Sequence, residues 1–166
     1  MSEQNIILNH TDILNKLRRI AYQIYETNTN EKEVILAGIF ENGFVMASLL
    51  KEILDEISDL ETTLCEVKIN KKDVLKPITT SLSEEEITNK SIVLVDDVLN
   101  SGTTLIYGVK HFLNVPLKKF KTAVLVNRNH KKYPVKADFK GISLSTSLHE
   151  HVSVDFTDKN FKTYLS

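Results

Sequence analysis

Ser91-Ile-Val-Leu-Val-Asp-Asp-Val-Leu-Asn-Ser-Gly-Thr-Thr104 is the stretch that decides how the rest of the chain is read. Ile92 to Val95 is short and continuously apolar, as expected of a strand buried on both faces of a parallel sheet. Two carboxylates follow at once, Asp96 and Asp97. After Val98 and Leu99 comes a small polar loop, Asn100-Ser101-Gly102-Thr103-Thr104. From about Thr103 to Asn114, Leu105, Val109, Phe112 and Leu113 recur at helical spacing. Strand, acidic pair, small-residue loop and helix together suit a sugar phosphate. Gly102 lets the backbone come close to a ligand, and the loop N–H groups and helix N-terminus attract an anion. The hydroxyls of Ser101, Thr103 and Thr104 can bond phosphate oxygens. Asp96 and Asp97 can accept from two adjacent ribose hydroxyls or hold Mg²⁺. Acids ahead of a helix also serve its dipole and its cap, so it is the combination that points to chemistry. No Gly-Lys-Ser/Thr triplet occurs, which excludes a nucleoside-triphosphate P-loop.

The chain has 166 residues, which predicts one domain over 1–166 with a sizeable core. Its 42% hydrophobic and 26% charged content is that of an ordinary soluble chain. A net charge of -1 gives no global basic field toward nucleic acid or membrane. The single Cys65 excludes an intramolecular disulfide and a cysteine zinc cluster, and fits a reducing cytoplasm. Met-Ser-Glu-Gln-Asn lacks the basic-then-apolar pattern of a signal peptide, and no apolar run reaches transmembrane length. A cytoplasmic protein with no membrane association is expected.

Asn9 to about Asn28 reads as a helix with Ile13, Leu14, Leu17, Ile20, Ala21 and Ile24 in one stripe, capped by Asn9. Val34 to Ile39 is a core strand. Phe40-Glu41-Asn42-Gly43 then leads into a helix from Phe44 to about Ser58; this loop fits an anion site and a plain turn alike. Leu64 to Ile69 alternates as a strand near the sheet edge. Asn70 to Lys90 lacks periodicity and reads as a functional lid or a disordered connection; Lys71, Lys72 and Lys76 near its start are solvated charges or, on a lid, cations that close on a diphosphate. Ala123 to Val126 is a further strand, followed by a polar, basic loop from Asn127 to Pro134. In a last strand Val152, Val154 and Phe156 alternate with His151, Ser153 and Asp155. His149 shares the wet face with His151 but has no third metal ligand in view.

The 91–104 stretch resembles the phosphoribosyl diphosphate (PRPP) signature of the type I phosphoribosyltransferases. Val124 to His130, Pro134 to Gly141 and Ser145-Thr146-Ser147 narrow the likeness to the bacterial bifunctional pyrimidine-operon attenuator/uracil phosphoribosyltransferases, over nearly the whole chain. The resemblance implies an α/β fold, a mostly parallel central sheet flanked by helices with a small C-terminal hood. It implies transfer of ribose 5-phosphate from PRPP to a pyrimidine base, uracil, giving UMP and diphosphate with Mg²⁺. Asp96 and Asp97 would be the catalytic and metal-holding pair. Asp96 to Thr104, with Val98 and Leu99, would bind PRPP and its 5′-phosphate. Phe40, Glu41, Asn42 and Gly43 would form the diphosphate loop, with Lys71 and Lys72 on the lid. Asn127, Arg128, Asp138, Phe139 and Lys140 would bind the base, Phe139 as the aromatic lying on it. A homodimer or larger assembly and an RNA leader are the implied macromolecular partners.

Six positions depart from that pattern. Asn100 stands where purine enzymes of this fold carry an aspartate, and an amide cannot act as an acid or base. Phe40-Glu41-Asn42-Gly43 replaces roughly Lys-Thr-Arg-Gly. Each lost charge-assisted bond to diphosphate is worth on the order of 1.5–3 kcal/mol. Lys71 replaces an arginine and Asn127 an aspartate. Two expectations therefore stand together. One is an active uracil phosphoribosyltransferase. The other is a nucleotide-sensing regulator of weak or no activity, binding RNA through Lys118, Lys119 and Lys121 with Lys131 and Lys132.

Overall fold

Asn9 accepts the Asp12 N–H through its side chain and the Asp12 carboxylate returns a bond to Asn9 N–H, so a capping box starts helix α1, His10–Thr27. This first helix lies within a computed structural model that describes residues 5–166. Met1–Gln4, read above for a targeting signal, lie outside the described residues. The remaining elements, in chain order, are β1 Asn5–Leu8 ahead of α1, β2 Glu33–Ile39, α2 Asn42–Ile57, β3 Glu61–Lys68, β4 Thr79–Thr80, α3 Glu84–Ile87, β5 Ser91–Leu99, α4 Thr103–Phe112, β6 Lys119–Arg128, β7 Phe139–Leu144, β8 Val152–Asp155 and β9 Lys162–Leu165.

Six strands form one sheet in the order β4-β3-β2-β5-β6-β7. All its pairings are parallel except that of the two-residue edge strand β4. The period of two along β5 sorts the core. Val93 and Val95 pack with the α1 and α2 side chains Leu17, Ile24, Leu50 and Leu54. Ile92 and Leu94 face the other way, onto Leu105 and Phe112 of α4. This is the flanked parallel sheet that the resemblance implied. Among the described residues no helix is long and apolar enough to cross a membrane.

Several bounds differ from the sequence reading. The central strand does not stop at Val95. Its ladder to β6 continues through Asp96↔Val124, Val98↔Val126 and Leu99↔Asn127, so the acidic pair lies in the strand. The sixth strand likewise takes in Asn127 and Arg128, which were read as loop. α2 begins at Asn42, two residues early, leaving only Phe40 and Glu41 to turn the chain. The 70–90 segment is not structureless. Thr79–Thr80 pairs back on β3, and Ser83 with Glu86 makes a capping box for the single turn α3. A one-turn helix is too short to show a period. Strand β7 escaped because only Phe139 and Gly141 are buried in its first half. The hood is a separate antiparallel sheet, β1-β9-β8, so it draws on both ends of the chain.

Two glycines set how closely α2 crosses the sheet. A Cβ on Gly38 would lie 2.4 Å from Phe44 Cα, and one on Gly43 would lie 2.6 Å from the Val95 carbonyl oxygen. Backbone against backbone cannot yield, so only glycine permits the approach. Gly38→Ala should therefore lower stability by about 1–3 kcal/mol, as overpacking does. Gly108→Ala is the contrast. Its Cβ would meet flexible side-chain ends at 3.0 Å or more, and the gain in helix propensity of about 1 kcal/mol offsets that contact. Urea unfolding of both variants checks the difference.

Candidate functional site

A cleft of about 300 Å³ opens at the carboxyl end of β5. Its walls are Asn42 at the start of α2, Lys71 of the segment after β3, Asp96 and Asp97, the loop from Asn100 to Thr104, and the hood segment His151 to Val154. Parallel sheets gather ligands at such strand ends because loops and helix N-termini converge there.

Asp96 is the buried centre of this cleft, only 3% exposed. Its Oδ1 accepts the Asp97 N–H at 2.9 Å, and Lys71 Nζ stands 3.8 Å away. Burial, and then the negative charge of Asp97, push the Asp96 carboxyl well above the usual carboxylate range, with Lys71 pulling the other way. Asp97 turns outward. Its Oδ1 accepts the Val98 N–H at 2.9 Å and its Oδ2 accepts Asn42 Nδ2 at 3.0 Å. The same Asn42 nitrogen donates to the Val154 carbonyl at 2.8 Å, so one amide ties α2, β5 and the hood together. Two adjacent carboxylates offer hard oxygen donors suited to Mg²⁺ when a ligand supplies further oxygens. Among the described residues there is no group of three or more His, Cys, Asp or Glu that could hold a metal alone, the His149 and His151 pair included.

The Asn100–Thr104 loop sits against the start of α4. Gly102 has φ +87°, and a Cβ there would be 2.6 Å from Val135 Cγ1. The left-handed turn lets the chain enter α4 with its first-turn N–H groups turned to the loop. Ser101 and Thr103 hydroxyls are 2.8 Å apart, and the Ser101 carbonyl accepts N–H bonds from Lys132 at 2.7 Å and Tyr133 at 3.1 Å. The basic loop after β6 thus braces this turn from behind. Beside Asp97 a second cavity of about 350 Å³ is lined by Phe40, Glu41, Asn42, Lys71 and Asp97. Lys71 is the sole cation in that wall; Lys72, grouped with it above, lines neither cavity.

The residues expected to bind a base divide. Arg128 lies at the end of β6 and reaches the loop, donating to Asn100 Oδ1 at 3.1 Å. Asn127 is buried beside it in the strand, with Nδ2 3.3 Å from Ser143 Oγ and Oδ1 without a partner. Asp138, Phe139 and Lys140 sit at the opening of β7 and line neither cavity. Asp138 instead accepts the Thr122 N–H at 3.0 Å, fastening β7 to β6. Phe139, paired in register with Ala123, buries its ring in the α1-side core, and Lys140 is exposed. The cleft wall opposite the loop is the hood segment His151 to Val154, which the sequence reading did not bring to the site. Its alternation marked a strand, but nothing local says which sheet that strand joins.

The lysines grouped for RNA do not form one patch. Lys118, Lys119 and Lys121 lie where β6 starts and Lys131 and Lys132 past its end, roughly 30 Å apart at strand rise. Lys118 pairs with Glu31 at 2.7 Å and Lys119 bonds the Thr27 carbonyl.

Comparison with known proteins matches this geometry. The family described as phosphoribosyl transferase domain matches residues 3–159. Bifunctional protein PyrR of Streptococcus mutans is 33% identical over 145 residues, covering 86% of this chain and 82% of that protein. The Streptococcus thermophilus protein of that name is 34% identical, covering 88% of this chain and 86% of its own. Among solved structures, the hypoxanthine phosphoribosyltransferase of Trypanosoma cruzi superposes with a TM-score of 0.78 at 16% identity, over 96% of this chain and 95% of that one. A hypoxanthine-guanine phosphoribosyltransferase of Bacillus anthracis gives 0.77 at 18% identity, over 98% and 96%. The last two share the fold; the first three findings go further, and by them the chain belongs to the phosphoribosyltransferase family, alongside the bifunctional PyrR proteins.

Proposed function

We propose that the protein transfers ribose 5-phosphate from PRPP to uracil, giving UMP and diphosphate, and that the cleft at the end of β5 is where this happens. The observation that carries the reading is the convergence of a buried acidic pair, a helix N-terminal loop and a hood strand on one cavity. The Asn100–Thr104 loop takes the 5′-phosphate on backbone N–H groups and hydroxyls. Asp97 accepts from the ribose hydroxyls, and Asp96 with Asp97 would hold Mg²⁺, which neutralises diphosphate charge when bound. The bond from the ribose anomeric carbon to a diphosphate oxygen breaks, a bond from that carbon to N1 of uracil forms, and the N1 proton is released to water. Positive charge grows on the sugar as diphosphate leaves, and the carboxylates lie on its side of the cleft. Lys71 faces the departing anion from the lid.

One observation favours adding a regulatory reading. The cavity beside Asp97 offers a leaving diphosphate only Lys71, while Phe40, Glu41 and Asn42 contribute no positive side chain. Nucleotide binding survives that loss better than turnover, because the missing contacts act on charge that develops in the transition state. A nucleotide-responsive regulator with slow transfer chemistry fits such a site, and the relatives are named as bifunctional proteins.

Asp96→Asn separates stability from function. The native Asp96 carboxyl titrates above its ordinary value of 3.8. The folded state therefore binds more protons than the unfolded state between those two values, and wild-type stability falls as pH rises through that window. The amide removes this loss. The variant should be more stable than wild type near pH 7, and the gap should close toward acid. It should bind Mg·PRPP far more weakly. Thermal unfolding across pH, with calorimetric titration of Mg·PRPP, measures both.

Steady-state assay of PRPP and uracil should give turnover well below the roughly 10 per second of ordinary enzymes, with UMP binding normal. Phe40 is 48% exposed, so Phe40→Lys adds a cation without a packing loss. That change should raise turnover on the order of tenfold, one charge-assisted contact's worth. Asn42 is a poorer position for the same repair, since its amide already holds Asp97 and Val154. Turnover near 10 per second in the wild type would overturn the slow-enzyme reading.

A further inference from the structure

Lys71 is the one Lys or Arg among the described residues that line the cleft and the cavity beside Asp97, and it lines both. Its Nζ stands 3.8 Å from Asp96 Oδ1, the same oxygen that accepts the Asp97 N–H. The two side chains are unequal partners. That of Asp96 is 4% exposed and that of Lys71 47%. The carboxylate is fixed in the core, so the lysine is the member of the pair that can leave.

The backbone beneath Lys71 is not the part that moves. Ile69, just ahead of it, is buried in the α4-side core, and Val74 and Ile78 pack against the same cluster. Asn70 Oδ1 accepts the N–H groups of Lys72 at 3.0 Å and Asp73 at 3.1 Å, and Asp73 Oδ1 accepts that of Leu75 at 3.3 Å. The turn is thus braced from within and anchored on both sides. What remains free is a flexible four-carbon stem carrying a point charge. Swinging on that stem, the ammonium can serve Asp96 in the cleft or an anion in the cavity beside Asp97, since it borders both. A divalent cation on Asp96 Oδ1 meets the same ammonium as a like charge at close range.

Resting on the reading of the cleft as a PRPP site, we propose that Lys71 is the protein's own counter-cation for Asp96. It keeps a free divalent cation off the acidic pair, and the diphosphate of arriving PRPP draws it away and so admits the metal. Metal and lysine are alternative partners of one oxygen, and each weakens the other by the same factor, as linkage requires. Free metal is disfavoured, while metal carried by PRPP brings the anion that releases the lysine. One side chain thereby sets the order of loading.

Lys71→Met keeps the stem and removes the charge. Lys68→Met takes the same charge from the end of β3, where the side chain is 66% exposed and lines neither cavity, and serves as the control. Mn²⁺ stands in for Mg²⁺, and water-proton relaxation reads its binding without PRPP. Lys71→Met should bind Mn²⁺ about threefold tighter than wild type, the scale of a half-exposed ion pair. Lys68→Met should stay within roughly twofold of wild type. Calorimetric titration of Mg·PRPP should move the other way, about tenfold weaker in Lys71→Met, because the diphosphate has lost its cation. A structural role for Lys71 would weaken both ligands, and a role toward diphosphate alone would leave Mn²⁺ affinity unchanged. Either result overturns the inference, as does an equal gain in Lys68→Met or an absence of Mn²⁺ binding in all three proteins. Failure of all three to bind Mg·PRPP would overturn the proposed function and the handover to diphosphate, while tighter Mn²⁺ binding by Lys71→Met would still uphold the exclusion of free metal.

Discussion

A carboxylate held out of water beneath the hood is the constraint that the rest of this site answers to. Asp96 is carried into the interior because the β5–β6 ladder runs on past Val95, pairing Asp96 with Val124. Desolvation alone would drive such a group to take up a proton. Three features surround it instead. The Asp97 N–H donates to it, Lys71 approaches from the segment after β3, and the cleft leaves one side open to a ligand. An acid kept in that state is poorly compensated by the protein's own groups, and its carboxyl titrates well above the usual range. Stability and binding therefore pull against each other at this position, as they do at many functional sites.

The approach of α2 follows from the same constraint. Asn42 can donate to Asp97 and to Val154 only because Gly38 and Gly43 let backbone touch backbone beneath it. A bulkier residue at either position would lift the first turn of α2 off β5 and open the hood from the acidic pair. The amide is a neutral solution to holding Asp97 in place. It orients the carboxylate without neutralising it, so the charge of the pair stays available to a ligand. The cost is a cavity beside Asp97 with little positive character.

Much of this was readable from the chain, and the limits have physical causes. The apolar runs, the cap at Asn9 and the glycine turn at Gly102 are local signals, and the structure carries each, with the central strand longer than its apolar run and Thr103 and Thr104 already in α4. The expectation for Phe139 came from likeness of a short motif, whereas the ring's place is decided by register. Pairing with Ala123 sends the side chain to the α1 face, one step short of the cleft level that Asp96 and Val124 mark. A strand's direction and register are set by partners distant in sequence, which no window of residues reports. The hood shows the same limit more strongly. Val152 to Asp155 finds its place only through β9, and β9 through β1 at the other end of the chain. The reach of Arg128 to Asn100 spans 28 residues and could not be seen before the two strand ends were laid side by side.

The chemistry of the site follows from how it handles negative charge. The Asn100–Thr104 loop offers backbone N–H groups and hydroxyls, with a buried guanidinium behind Asn100 that itself bonds only neutral oxygens. The cavity beside Asp97 offers Lys71 and the Asn42 amide. Fixed dipoles of this kind stabilise negative charge without reorganisation. They carry no net charge, so against a multiply charged group each gives less than a charge-assisted bond from Lys or Arg would. Lys71 is the one Lys or Arg among the described residues that line the cleft and the cavity beside Asp97, so both meet negative charge mainly with dipoles.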